Sequence, residues 1–142
     1  MRFEIITEPS RIDFDRVYAF INGQSYWAQG IPRELFDRAM ANSLCFGGWL
    51  GGEQIAFARV ISDYATFANL VDVYVEREFR GMGYASALLE GVFAHPDLQG
   101  LRRFMLATSD AHHLYAKFGF HAPARPDTLM ERYHPDIYKA GS

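Results

Sequence analysis

Apolar positions along this chain recur with two periods, and the switches between them mark out its elements. Phe14, Val17, Tyr18 and Ile21 fall at i, i+3, i+4 and i+7, one stripe of a helix whose start is signalled by Ser10 and Asp13. Leu35, Phe36, Ala39 and Met40 give a second stripe, opened by Pro32 and ending near Asn42. A third, Ala85, Leu88, Leu89, Val92 and Phe93, is stopped by Pro96. The fourth, Ala111, Leu114, Tyr115 and Phe118, lies between Asp110 as a cap and Gly119 as a stop.

Strand patterns fill the intervals. Residues 2–7 predict a first strand; 44–50 and 54–62 flank Gly51-Gly52-Glu53, which reads as a hairpin turn. Residues 69–75 are rich in β-branched side chains and alternate Leu70, Asp72 and Tyr74 with Asn69, Val71, Val73 and Val75. Both faces are mostly apolar, as in a central strand. A further strand is predicted at 104–108, and one or two more from Phe120 onward, including 129–133. The order is strand, two helices, three strands, then helix, strand, helix, strand: one domain spanning residues 1–142, of α/β (α+β) class.

Composition narrows the function. Fourteen Lys plus Arg against seventeen Asp plus Glu leave a formal charge of -3, so no whole-protein positive field exists to hold a nucleic acid. A single cysteine, Cys45, excludes an internal disulfide and a Cys-rich zinc site, and is read as a small buried hydrophobe. His112 and His113 lack a third ligand nearby, so no metal is expected. No apolar run approaches the roughly 18 residues of a membrane span, and the N-terminus lacks a signal peptide's apolar run. The expectation is a cytoplasmic protein with no membrane partner.

The most informative stretch is VDVYVEREFRGMGYASALLEG, residues 71–91, where a strand hands over to a helix through Arg80, Gly81, Gly83 and Ala85. The first four amides of a helix have no internal acceptor, and the macrodipole places about half a positive charge there. Glycine lets an anion approach the backbone, and Arg80 adds a cation. A phosphate fits such a turn. The nucleoside triphosphate loop is excluded because no Gly-Lys-Ser or Gly-Lys-Thr occurs. A dinucleotide fingerprint fits poorly, with Ser86 in place of its last glycine and no acid in residues 101–109.

In these residues the chain resembles the GNAT superfamily of acyl-CoA-dependent N-acetyltransferases. The family's Gln/Arg-x-x-Gly-x-Gly/Ala is matched by Arg80, Gly83 and Ala85, and the strand pattern before it by Leu70, Val73 and Val75. A later signature, A-x-x-L-Y-x-K-x-G-F, is matched by Ala111, Leu114, Tyr115, Lys117, Gly119 and Phe120. The resemblance implies a GNAT-like fold, a central mixed, mostly antiparallel sheet of six or seven strands flanked by about four helices. It also implies that acetyl-CoA is the co-substrate, with no metal. Its pyrophosphate would lie on the amides of Arg80, Gly81, Met82, Gly83, Tyr84 and Ala85, and its pantetheine arm along the backbone of Val73, Tyr74 and Val75. Many relatives have asparagine where this chain has Thr108, which removes one expected cofactor contact.

Amine acetylation requires the amine to lose a proton and the departing thiolate to be met by one. Tyr115 corresponds to the family's general acid. Asp72, a carboxylate in an apolar strand, is the first choice for the base, with Asp63, Tyr64 and His112 as rivals. Tyr26, Trp27, Tyr64 and Phe67 fall in connections that border the acceptor cleft in such folds; Trp27 also reads as a ring covering the core. The acceptor is a primary amine, on a small molecule or on a peptide or protein. A non-catalytic acyl-CoA or nucleotide sensor is the alternative, and a homodimer is compatible with either.

Overall fold

A computed structural model describes residues 2–139. Strand β1 (Phe3–Ile6) leads into helices α1 (Phe14–Gly23) and α2 (Arg33–Ala41). Strands β2 (Leu44–Leu50), β3 (Glu53–Ser62) and β4 (Phe67–Val75) follow, then helix α3 (Tyr84–Ala94), strand β5 (Arg103–Leu106) and helix α4 (His112–Ala116). The strands lie in chain order in one mixed sheet, antiparallel from β1 to β4 and parallel between β4 and β5.

Local chemistry explains most boundaries. The Asp13 carboxylate accepts the Arg16 amide at 3.0 Å and caps α1. Buried Gln54 of β3 then grips the backbone of the same residue from both sides, accepting the Asp13 amide at 2.9 Å and donating to its carbonyl at 3.2 Å. That pair pins the start of α1 to the sheet. Gly51 and Gly52 both take positive φ, +57° and +85°, as the β2–β3 hairpin requires. The fourth helix begins later than its pattern suggests: Asp110 does not cap it, and the Thr108 hydroxyl instead accepts the Ala111 amide at 3.0 Å.

The sheet separates two cores. On one face Leu88, Leu89 and Val92 of α3 bury against Ala56, Ala58 and Val60 of β3, whose small side chains let the helix approach closely. On the other, Val17, Phe20 and Ile21 of α1 and Phe36 and Met40 of α2 cover Phe57 and Tyr74. Phe20 stacks on Tyr74 with ring centroids 3.8 Å apart and planes 6° from parallel.

The expected alternation along β4 is broken. Val71 pairs with Arg59 and Tyr74 with Phe57, so residues three apart on β4 face the same side as residues two apart on β3. The extra residue is a bulge, and Asp72 occupies it with φ +54°, a left-handed conformation uncommon outside glycine. Before the bulge Leu70 faces α3; after it Val73 and Val75 do.

The expectation of six or seven strands is corrected to five among the described residues. Pro123 and Pro126 offer no amide to a ladder, and among the described residues after α4 the regular piece is a short 3-10 turn at Pro126–Thr128. Residues 129–133 find no strand to pair with, and Leu129, Met130 and Tyr133 stay exposed.

Gly48 tests the packing. A Cβ there would come within 2.6 Å of the Phe3 ring, which itself rests on Tyr84 at the start of α3 with centroids 5.1 Å apart. Gly48→Ala is expected to lower unfolding free energy by about 1–3 kcal/mol, read as a lower urea midpoint at unchanged slope.

Candidate active site

Strand β5 pairs with β4 only from Phe67 to Leu70. Past Leu70, β4 keeps β3 on one side and, among the described residues, has no strand on the other. A cleft of about 1380 Å3 opens there. Val71, Asp72 and Val73 line one side, and residues 107–110 with Tyr115 line the other. Tyr26, Trp27 and Phe67 join its lining; Tyr64, on the β3–β4 turn with φ +62°, does not.

The far end of β4 leads to the glycine turn. Gly81 and Gly83 have φ of +77° and +87°, and a Cβ on either would meet nothing within 4 Å. Glycine is therefore required there by torsion, and the space in front of the turn is open. Gly83 precedes α3 with no side-chain cap, and the first helical bond is Ala87 amide to Gly83 carbonyl at 3.1 Å. The amides of Tyr84, Ala85 and Ser86 come before that bond and have no helical acceptor. Arg80 donates its Nε to the Val75 carbonyl at 2.8 Å, tying the cation to the strand end, while Met82 is exposed. Tyr74 and Tyr84 turn their rings to Phe20 and Phe3, leaving only their backbones to a ligand.

Tyr115 is buried on α4, edge-on to Phe120, with its ring bordering the cleft. Burial first, then the nearby Tyr26 hydroxyl and Asp110, push its phenol above the usual tyrosine value. It stays protonated throughout the neutral range.

Asp72 is committed on both oxygens. Oδ2 accepts Arg59 Nε and Oδ1 accepts Trp27 Nε1, each at 2.7 Å. Arg59 donates also from Nη1 to the Ser43 hydroxyl at 3.0 Å. Trp27 thus serves both expected readings, packing near Phe20 and reaching the cleft through its carboxylate partner. Asp63 lies apart, building the β3–β4 turn by accepting the amides of Ala65, Thr66 and Phe67 and the Thr66 hydroxyl. Those bonds, the hydroxyl's first, hold its carboxyl below the usual range, which makes it a poor base. His112 and His113 are exposed on α4, and among the described residues no cluster of three His, Cys, Asp or Glu is placed to hold a metal ion.

Arg59, Asn69, Ser109 and His134 also line the cleft and were not singled out from sequence. For Arg59 a signal existed: an arginine inside AFARVI must find a buried partner. His134 and Ser109 carried none.

A family model for the acetyltransferase (GNAT) family matches residues 13–120. The chain belongs to that family, whose members are acyltransferases. It is similar, at 54% identity and a TM-score of 0.94 over 98% of both chains, to the crystal structure of a putative acetyltransferase of the GNAT family from Xanthomonas campestris pv. campestris. A Gibberella zeae protein that carries the name putative acetyltransferase FG08082 is 30% identical over 135 residues, 80% of this chain and 75% of that one. The fold is shared with a Clostridium acetobutylicum protein described as a predicted acetyltransferase and solved with acetyl-CoA, at 17% identity, a TM-score of 0.68, and coverage of 93% and 96%.

Cys45 is buried beside Met40, and desolvation pushes its thiol up to about 12. The native protein is expected to resist a disulfide exchange reagent near neutral pH and to give its full thiol titre only in denaturant. Rapid native labelling would contradict this placement.

Proposed function

We propose that this chain transfers an acetyl group from acetyl-CoA to a primary amine by direct attack within a ternary complex. The observation that carries the reading is the unpaired edge of β4, which joins a cleft bordered by Tyr115 to open amides at a helix start. A pantetheine arm is an extended chain with amide groups and can pair along Val73 as a strand would. The turn amides from Gly81 to Ala85 then meet the diphosphate, with Arg80 adjacent. Backbone donors beside Val73 polarise the thioester carbonyl, and the solved Clostridium relative lends support because its shared fold was crystallised with acetyl-CoA.

Tyr115 meets the departing sulfur by a hydrogen bond or proton. Its raised pKa means that the protonated form required for this role persists, and any loss it causes falls above about pH 10. Asp72 acts as a positioning residue in this reading: proton removal by its carboxylate would compete with Arg59 and Trp27, so the amine's proton leaves to cleft water.

Incubation with acetyl-CoA and a panel of primary amines should release free CoA in an amine-dependent way. Tyr115→Phe is expected to lower kcat by about a hundredfold while the affinity for acetyl-CoA stays within about twofold. Tight acetyl-CoA binding with no thiol release for any amine would support a sensor instead.

Asp72→Asn separates positioning from base catalysis. It should lower the melting temperature by loosening the Arg59 pair, yet leave the pH at which the rate rises in place. Disappearance of that rising limb would restore Asp72 as the base.

A further inference from the structure

Resting on the transferase reading, we infer that the acceptor cleft carries a carboxylate subsite built on Arg59 and Asn69, so that the preferred acceptor is an amine that also bears an acid group. Arg59 sits on the sheet face that the cleft exposes, its side chain 15% accessible. Its Nε goes to Asp72 and one Nη1 hydrogen to Ser43, and among the described residues Nη2 has no acceptor. A guanidinium has five N–H donors, so three remain, on a side chain that lines the cleft. Two parallel N–H groups from Nη1 and Nη2 match the two oxygens of a carboxylate.

The neighbouring strand supplies the second donor. Register places Asn69 opposite Ile61 and Val71 opposite Arg59, so Asn69 shares the face of Arg59 one diagonal step away. Asn69 lines the cleft, with a side-chain amide able to donate. Bonds to Ser43 and Asp72 already fix Arg59, so little side-chain entropy remains to be lost on binding.

Charge around the cleft favours a zwitterion over a simple polyamine or a phosphate ester. Arg38, Arg59, Asp72 and Asp110 all line it, and with Asp72 committed to Arg59 and Trp27, Asp110 is the carboxylate left for an ammonium while Arg59 keeps donors for an acid group. Phe67, Tyr26 and Trp27 supply apolar surface for the rest of such a molecule.

The test uses matched product analogues, which bind without turnover. Calorimetry on the CoA-saturated protein would compare N-acetylphenylalanine, N-acetylleucine and N-acetyltyrosine with their C-terminal amides. At least one acid is expected to bind about tenfold more tightly than its amide, and Arg59→Lys, which keeps the charge but not the fork, should cut that preference to about twofold or less. If Arg59→Lys melts before it can be measured, Asn69→Leu is read the same way, with an expected preference below about threefold. Equal binding of acids and amides, no binding of any pair, or a preference that survives the substitutions overturns the inference. Thiol release judges the transferase reading separately: acid preference without CoA release keeps the subsite and loses the transferase, and CoA release with equal use of acid and amide acceptors does the reverse.

Discussion

The left-handed residue at Asp72, clamped by Arg59 and Trp27, is the constraint on which the site depends. A non-glycine residue in that conformation costs roughly 1–2 kcal/mol, somewhat less for aspartate. Two charge-assisted bonds of about 1.5–3 kcal/mol each offset it, provided the carboxylate and guanidinium stay together out of water. The bulge reverses which side chains of β4 face α3, and beyond it β5 no longer follows. The part of the β4 edge left open past Leu70 faces the cleft, whose lining includes α4 and the α1–α2 link, rather than open solvent.

Each side of the sheet then has a separate duty. The α3 face is packed with alanine on β3 so that the helix, and with it the glycine turn, is held at a fixed distance from the end of β4. Placement of an anion on amides needs such rigidity, since a helix start that moved would lose the alignment of its donors. The opposite face carries α1 and α2, fastened by Gln54 at one end and by aromatic stacking at the other. Between them lies the link with Tyr26 and Trp27, which reaches over to Ser109 through a Tyr26 hydroxyl contact of 3.3 Å.

Much of this was legible in the residues. Amphipathic stripes mark the four helices of the described residues, the glycine pair marks the hairpin, and Gly81 and Gly83 mark the turn where β4 hands over to α3. The bulge was not legible, because Asn69 to Val75 alternates well enough to be read as a regular strand, and nothing local says that Asp72 takes positive φ. Its cause is tertiary: Arg59 lies 13 residues away and Trp27 lies 45 away. The last strands were overread for the complementary reason. Residues 129–133 have strand-like side chains, but a strand exists only where another edge receives it.

The same logic explains why the two ends of the cleft differ in kind. The end of the cleft toward α3 is made of backbone, amides and open glycines, which on the proposed reading serve the co-substrate common to the family. The acceptor end is made of side chains on the α1–α2 link, on β3 and β4, and on the C-terminal segment, where Gly30 admits the Tyr138 carbonyl to a position only 2.8 Å from where a Cβ would stand. On the proposed reading, substituting those side chains would change which amine is received without disturbing the edge proposed to hold the thioester. Arg59 is the exception: it holds the bulge through Asp72 and, in the proposed subsite, would offer its remaining donors to the acceptor. A residue so placed would couple selection of the substrate to the geometry of the strand along which the proposed reaction runs.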